Sequence, residues 1–490
     1  MKKITFFIFS ILLSTLSYAQ LVTPGTGVYY NLSELSDLDP SILSFDGTKY
    51  TLSEDLTIAG DDGLIINTTD TLLVDADKRI TVEGQFIIDI PDNEPKFVLR
   101  ATDTLNPFDG IRYQDLSAGL FNNVEITYSG GLKVVTSDFV IKNSYLSYNV
   151  SGAATGSTIS LSNGAPLIQN NTFYKNDLPA VGSGANQEVS AHILNNVIEK
   201  NTQSNQNRPQ LNMGPTGSDT LKIKGNTIIG DPVMTKVGGI SVSNFLSYNI
   251  IAEIEDNVIL NNRYGITVAG GNAYAMIKGN IIEDNNTENN PALGGSGISL
   301  SSSNDSQTII ARENEIRGNL WGITVINQAS IDLGTDTDLG YNRFSDNGNN
   351  GITYALYNNT SMDLSAMGNC WIESNESAGT TEIENVIFHK NDDSTLGLVD
   401  FSQWTCSTLG TELPKLSQIN IYPNPASNEI HFNNVNEFKT LKFYNINGQL
   451  MKEVELIQNE NKINLSIPQG LYFLKFSSDQ HEITEKLIIK

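Results

Sequence analysis

Asn257-Val-Ile-Leu-Asn-Asn262 is followed 23 residues later by Asn280-Ile-Ile-Glu-Asp-Asn285, and the two belong to a longer series. The pattern Asn-x-apolar-x-x-Asn/Asp stands earlier at Asn171-Thr-Phe-Tyr-Lys-Asn176, Asn196-Val-Ile-Glu-Lys-Asn201 and Asn226-Thr-Ile-Ile-Gly-Asp231. It returns at Asn314-Glu-Ile-Arg-Gly-Asn319 and Asn342-Arg-Phe-Ser-Asp-Asn347, with degenerate copies at Ser144–Asn149 and Asn369-Cys370-Trp371. Successive hexads start 25, 30, 31, 23, 34 and 28 residues apart. A constant motif at a loosely kept period marks stacked repeats.

Each hexad has strand-like neighbours on both sides. Before it come Ala191-His-Ile-Leu194, Leu221-Lys-Ile-Lys224, Ala252-Glu-Ile-Glu255 and Ala275-Met-Ile-Lys278. Their strict alternation predicts strands with one buried face. After it come Gly239-Ile-Ser-Val242, Gly265-Ile-Thr-Val268, Gly297-Ile-Ser-Leu300, Gly322-Ile-Thr-Val325 and Gly351-Ile-Thr-Tyr354. Three short strands per period, joined by loops of variable length, describe one coil of a solenoid. Such a coil buries one apolar row per strand and is stable only when stacked. Neighbouring coils then lie about 4.8 Å apart, close enough for the repeated asparagines to bond one another. Parallel crossovers favour the right hand.

The hexads, the Gly-Ile-Ser/Thr-Val strands and the turn asparagines together resemble the right-handed parallel β-helix of the pectin-lyase-like superfamily. The resemblance covers residues 51–406 and weakens before Gly119. Looser coils are expected at Thr71–Ile88 and Phe97–Tyr128, the latter including Phe108-Asp-Gly-Ile111. Residues 20–50 are expected to cap one end, and Glu382–Phe401 to close the other. The fold class is therefore all-β, with three strands per coil.

Beyond a linker at 407–417 the composition changes. Ile419-Asn-Ile-Tyr-Pro-Asn-Pro-Ala-Ser-Asn428 opens a strand and a proline-set turn, and Asn445-Ile-Asn-Gly-Gln-Leu450 reads as a hairpin. Gly470-Leu-Tyr-Phe-Leu-Lys-Phe476 and Lys486-Leu-Ile-Ile-Lys490 complete a small β-sandwich pattern. In this order the elements resemble the type A C-terminal sorting domain of Bacteroidetes, at residues 418–490. The resemblance implies a type IX translocon and a sortase as partners, followed by release or lipopolysaccharide anchoring at the cell surface. At the other terminus, Lys2-Lys3, the apolar run Ile4–Leu16 and Ser17-Tyr-Ala19 make a signal peptide of residues 1–19, cleaved before Gln20. No later stretch has the length of a membrane-spanning helix.

The chain carries 55 acidic and 30 basic residues, a net charge of −25. That field repels nucleic acid and anionic lipid, and it disfavours an anionic polysaccharide unless local basic groups or bound cations correct it. The two cysteines, Cys370 and Cys406, are too few for a zinc site without a histidine cluster and are expected to form a disulfide.

Function is expected on outward strand positions and adjoining loops. One column after the Gly-Ile pairs holds Ser241, Thr267, Ser299, Thr324 and Thr353, a candidate binding face for a glycan or another extracellular ligand. A second column, two residues before each hexad, runs Gln169, Leu194, Lys224, Glu255, Lys278, Arg312. Lys224 is a binding candidate. Some β-helix polysaccharide lyases use a Lys/Arg pair as base and acid, and that resemblance would assign these roles to Lys278 and Arg312, with Glu255 tuning them or holding a cation. Charge pairing on a solvated sheet is the plainer account of this column. The Asn-Thr-Asp, Asp-Asp, Gly-His-Gly, Arg-Ile-Lys series of polygalacturonases is absent. Trp321 is a candidate for stacking on sugar rings. No cofactor is required; Asp61-Asp62 and Asp392-Asp393 are the candidate calcium ligands. The sequence thus favours a monomeric surface or secreted binding protein, with a polysaccharide lyase or hydrolase and a structural spacer as alternatives.

Overall fold

The two asparagines of each hexad sit at two successive corners of one coil, and the residue before each corner makes the bend. Before the first corner, Asn170, Asn195, Asp256 and Tyr341 have φ of 56°, 54°, 55° and 52°. This left-handed region suits short polar side chains, and glycine fills it at Gly225 and Gly279. The bend directs the asparagine side chain into the stack. Asn257 Nδ2 donates to Asn280 Oδ1 at 2.9 Å and to the Ile223 carbonyl at 2.8 Å. Its Oδ1 accepts from the backbone N–H and from Nδ2 of Asn226, both at 2.9 Å. The same unit repeats without a break from Asn171 through Asn196, Asn226, Asn257, Asn280, Asn314 and Asn342 to Asn369. These asparagines are buried, and the ladder supplies the partners that buried amides require.

A second ladder follows the other corner through Asn149, Asn176 and Asn201, and again through Asn262, Asn285, Asn319 and Asn347. Between them the hexad ends in Asp231, which cannot serve as a rung. A carboxylate has no N–H to donate, and burial of its charge would be costly. Asp231 lies outside the ladder and caps the Val233 N–H instead. Its place is taken by Gln210, from a different strand of the coil. Gln210 Oε1 accepts the Asn201 N–H at 3.0 Å, and its Nε2 donates to Asn262 Oδ1 at 3.0 Å and to the Ile229 carbonyl at 2.9 Å.

The computed structural model describes residues 20–246 and 248–406 and, in the tail, 421–422, 426, 429–432, 438–445, 449–456, 462–478 and 482–489. The expected signal peptide, the linker at 407–417, most of Tyr422-Pro-Asn-Pro425 and the Asn447-Gly448 turn lie outside the described residues. Among those described, the hexads form a 13-stranded sheet, the segments before them an 11-stranded sheet and the glycine-led segments a 14-stranded sheet. Together they wind as a right-handed parallel β-helix. Register is maintained coil by coil: Gln169, Leu194, Lys224, Glu255, Lys278 and Arg312 are successive partners, as their spacing predicts. Ile198, Ile228, Ile259, Ile282 and Ile316 of the hexads point inward and are buried. The glycine-led strands pass directly beside them. A Cβ on Gly265 would lie 2.4 Å from Ile282 Cγ2 and 2.4 Å from the Gly297 carbonyl oxygen, so close approach requires glycine there.

The coil geometry extends further toward the N-terminus than residue 51. Gln20–Val22 pairs in parallel with Asp55–Thr57, and Tyr29-Tyr30 with Gly63-Leu64. Between these segments and the next coil, the helix Leu32–Leu38 is set by a capping box between Asn31 and Glu34 and buries Leu32 and Leu35. At the far end the helix Thr380–Glu384 and the strand Ile387-Phe388 close the stack, and Cys370 and Cys406 form a disulfide. Trp371 is buried and stacks on Phe344 at 5.0 Å, so it belongs to the core.

One expected strand is displaced. Gly351-Ile-Thr-Tyr354 does not join the glycine-led sheet; Ile352-Thr353 folds back antiparallel on Gly348-Asn349. Asn350 and Gly351 have φ of 50° and 81°, the pair of left-handed residues a tight hairpin turn needs. The sheet is continued instead by Leu356–Thr360.

The chain divides into two compact units, Met1–Ser407 and Thr408–Lys490. The second has antiparallel sheets of three and four strands around Ile430, Phe432, Leu441, Phe443, Leu474, Phe476 and Leu487, a small β-sandwich.

Replacing Asn257 by Ala strands a buried N–H and a buried carbonyl, each costing about 1–3 kcal/mol; urea titration should show roughly 3 kcal/mol of lost stability. Asp231→Asn, outside the ladder, should move the midpoint by no more than about 0.5 kcal/mol. The disulfide closes a loop with a sequence separation of 36. Reduction, or Cys406→Ser, should remove roughly 3–4 kcal/mol, seen as a lower Tm that a reducing agent does not depress further in the variant.

Candidate functional site

In the glycine-led strands, Ile240 and Val242 face the core, so Ser241 between them faces outward. Register places Ser241, Thr267, Ser299 and Thr324 side by side on successive coils. Thr353 is not in this column, because its strand is folded into the hairpin. The next positions are Tyr357 and then Phe388. In the other direction the column continues through Asn212, Gly182, Ser160, Lys133 and Arg112. The outer row therefore changes chemistry along the axis: cations, then small hydroxyl and amide groups, then aromatic rings.

This row is the floor of a groove. Ser241 and Thr324 are only 9% exposed, and Thr324 Oγ1 lies 3.0 Å from Ser296 Oγ on the neighbouring coil. Two clefts lie along this sheet. One of about 410 Å³ lies over Lys133, Ser160, Gly182 and Asn212, with Arg208 at its side. The other, of about 750 Å³, opens where the later strands leave the sheet and is lined by Asn244, Phe245, Asn272, Ser301, Asn304 and Asn327. Toward the aromatic end, Trp321 packs against Tyr354 and Tyr357 with ring centres 4.6 and 4.9 Å apart, and Tyr357 stacks on Phe388 at 4.7 Å. Trp321 Nε1 donates to the Pro291 carbonyl at 3.1 Å, which fixes the indole.

The cations of the groove were hidden in the sequence by the weakness of the early repeats. Gly110-Ile-Arg112 and Gly131-Leu-Lys133 follow the Gly-apolar-x pattern of the later strands, with a charge in the hydroxyl position. Arg208 has no such signal, because it lies in a loop.

The second column behaves differently. Lys278 and Arg312 are register neighbours, yet their side chains are committed elsewhere. Arg312 is buried, its Nε and Nη2 bond Asp338 at 3.1 and 2.8 Å, and Nη2 also meets Asp332 at 3.0 Å. Burial lowers its proton affinity, but the bonds to Asp338 and Asp332 outweigh that and raise it above the usual arginine value. Lys278 pairs with Glu313 at 3.1 Å. Lys224 pairs with Glu253 and Glu255 at 2.5 and 2.9 Å, which occupies both Lys224 as a binding residue and Glu255 as a tuning group. Lys224 with Glu253 and Glu255 is a cross-strand pair of a solvated sheet, whereas Glu313 reaches Lys278 from the turn after the next strand and Asp332 and Asp338 reach Arg312 from a later loop.

Neither acidic pair forms a cation cage. Asp62 is buried and accepts backbone N–H bonds from Gly25, Thr26, Gly27 and Val28 at 2.7–3.0 Å. Asp393 caps the Thr395 N–H. Asp392 lies near Glu384 and His389, but it accepts the His389 N–H at 3.0 Å. His389 Nδ1 accepts the Val399 N–H at 2.9 Å, so the ring proton sits on Nε2, 2.8 Å from Glu384. That imidazole has no lone pair left for a metal.

Residues 420–490 match the family described as Secretion system C-terminal sorting domain, and residues 246–378 match one described as Protein of unknown function (DUF1565). Among solved structures the chain is similar to the periplasmic alginate epimerase AlgG and to a point mutant of it. Identity is 13% in both, over 77% of this chain and 83% of theirs, with TM-scores of 0.41 and 0.42. No curated protein matches. The sorting domain makes this an exported protein, secreted or attached to the cell surface, and among the described residues no helix is long and apolar enough to cross a membrane.

Burial pushes the Asp62 carboxyl up, but bonds from Thr23, Val28, Gly25 and Thr26 outweigh it and hold it below the usual range. A lowered folded-state pKa stabilises above the unfolded value, about 3.9, and that stability is lost as pH falls through the folded value. Asp62→Asn should therefore be less stable than the native chain at pH 7, with the gap closing on acidification below pH ~4; parallel curves across that range would count against this role.

Proposed function

We propose that the protein binds extracellular glycans along the groove of the glycine-led sheet. The carrying observation is the single outward row in which Ser160, Asn212, Ser241, Thr267, Ser299 and Thr324 lead to Tyr357 and Phe388, flanked by Trp321. A sugar chain presents hydroxyls at its edges and apolar C–H faces. Small hydroxyl and amide groups suit the edges, and half-buried aromatic rings suit the faces. The coils set this row at about 4.8 Å intervals, so an extended polymer meets a repeated lining. Export to the cell surface brings the groove to such polymers.

The lyase reading draws no support from Lys278, Arg312 and Glu255, whose charges are already paired. Titrating the full-length chain with neutral and uronate polysaccharides, by calorimetry, tests the binding reading. Trp321→Ala and Tyr357→Ala should each weaken binding by roughly tenfold, about 1.4 kcal/mol. Unsaturated sugar ends accumulating in the ultraviolet would replace binding with elimination, and no binding by any polysaccharide would leave a spacer.

A further inference from the structure

The strands that precede the hexads alternate apolar and polar residues in the later coils, but not in the early ones. Leu64-Ile-Ile66, Phe86-Ile-Ile88, Leu120-Phe121, Phe139-Val-Ile141 and Leu167-Ile168 are apolar at inward and outward positions alike. Their outward members, Ile65, Ile87, Leu120, Val140 and Leu167, are half-buried. Register makes these five successive partners, a stripe along five coils of the 11-stranded sheet. The column then turns polar with His192, Lys222 and Glu253. On the hexad sheet the outward aliphatics are interrupted instead, running Val197, Thr227, Val258, Ile281 and Glu315. Strands apolar on both sides are the pattern of a sheet covered on both faces. At about 4.8 Å per coil the stripe is about 20 Å long.

The charges beside the stripe decide what covers it. In the next outward column Asp89, Asn122 and Lys142 are successive partners, an acid and a base one coil to either side of the centre. A two-fold axis along the strand through Leu120 reverses the order of coils. It sets Leu120 on Leu120, Ile87 on Val140 and Ile65 on Leu167 of a second copy, and it faces each Asp89 with the other copy's Lys142. On the opposite flank it brings Asp138 to Gln85. A two-fold along the solenoid would keep the order of coils and set Lys222 on Lys222 and Glu253 on Glu253, like on like. Reversal avoids this. Leu120 lies on the fourth strand from the N-terminal edge of the sheet, so Lys222, four strands further on, already passes the edge of the second copy.

We propose that the stripe Ile65, Ile87, Leu120, Val140 and Leu167 is the contact of a dimer, in which two copies of this chain lie side by side with their coils in opposite order. The contact is closed, because the same patch serves both copies. Aliphatic rows of two facing sheets interdigitate at a spacing of about 10 Å, and the Asp89–Lys142 pairs set the register at the rim. A dimer takes the place of the monomer that the sequence favours. It uses a different sheet from the glycan groove and is independent of that reading; a particle with two grooves would hold a polymer at two points.

The test is sedimentation velocity of the full-length chain over a range of concentrations. A patch of five short strands stands at the small end of specific interfaces, so monomer should give way to dimer at about 10 µM. Leu120→Asp puts two carboxylates on the axis and should raise Kd at least about tenfold, with Tm unchanged because the side chain points outward. Lys142→Glu should weaken the dimer about tenfold, and adding Asp89→Lys to it should restore the native Kd. Leu120→Cys, when oxidised, should link two chains through residue 120 while the bond between Cys370 and Cys406 stays intact. A monomer at every concentration would overturn the proposal. In that case a thiol in Leu120→Cys that reacts freely with a maleimide leaves the stripe bare, and a shielded one puts another segment of this chain on it. A dimer indifferent to Leu120→Asp, or one that the second charge reversal weakens further, would place the contact elsewhere and overturn the proposal too.

Discussion

The β-helix depends on the asparagine amide that donates forward to one coil and accepts from the one behind. It fixes the spacing of coils at two corners and leaves the loops free, which is why hexads can start anywhere from 23 to 34 residues apart. Hydrophobic burial drives stacking and opposes a slip of one residue, which would turn the apolar row outward, but it is indifferent to a slip of two. The ladder is not, because a slipped amide would leave its donors unpaired in a dry corner. Register, and with it every outward column, follows from those bonds.

The groove is a product of that register. A row in which cations give way to hydroxyls and then to rings needs each strand to present one chosen side chain at one height. The sheet on the other side of the hexads shows what a row looks like without a free ligand position. There Lys224, Glu255, Lys278 and Arg312 find partners at once, and the charges cancel locally. The same residue types thus carry different meaning on two faces of one solenoid, and only their pairing distinguishes them.

Much of this was legible in the sequence, for physical reasons. The hexads announce corners because buried asparagine is costly unless repeated, and the strand alternation fixed the Gln169-to-Arg312 register correctly. Ser241 through Thr324 also fell in one row. The misreadings have separate causes. The Gly-Ile-Thr pattern places Thr353 in the row, but Asn350-Gly351 is a hairpin turn whose local preference prevails over the repeat. Asp231 was read as equivalent to asparagine, although a rung needs a donor. Arg312 stands in the outward column as alternation predicts, but Asp332 and Asp338 cover it from a later loop, of which alternation says nothing. Arg112 and Lys133 stand on coils that lack hexads and Arg208 in a loop, so the repeat does not point to them.

Gln210 gives the ladder a property in time as well as in space. Most rungs of its column wait for a residue 23 to 34 positions further on, whereas Asn201 is satisfied by a side chain nine positions away. The next rung, to Asn262, then spans 52 residues. A chain emerging from its N-terminus can therefore complete the early part of this column as soon as residue 210 is free, long before the later coils exist. Closing the short loop first costs little conformational entropy, and it gives the growing stack a finished edge on which the remaining coils can be laid.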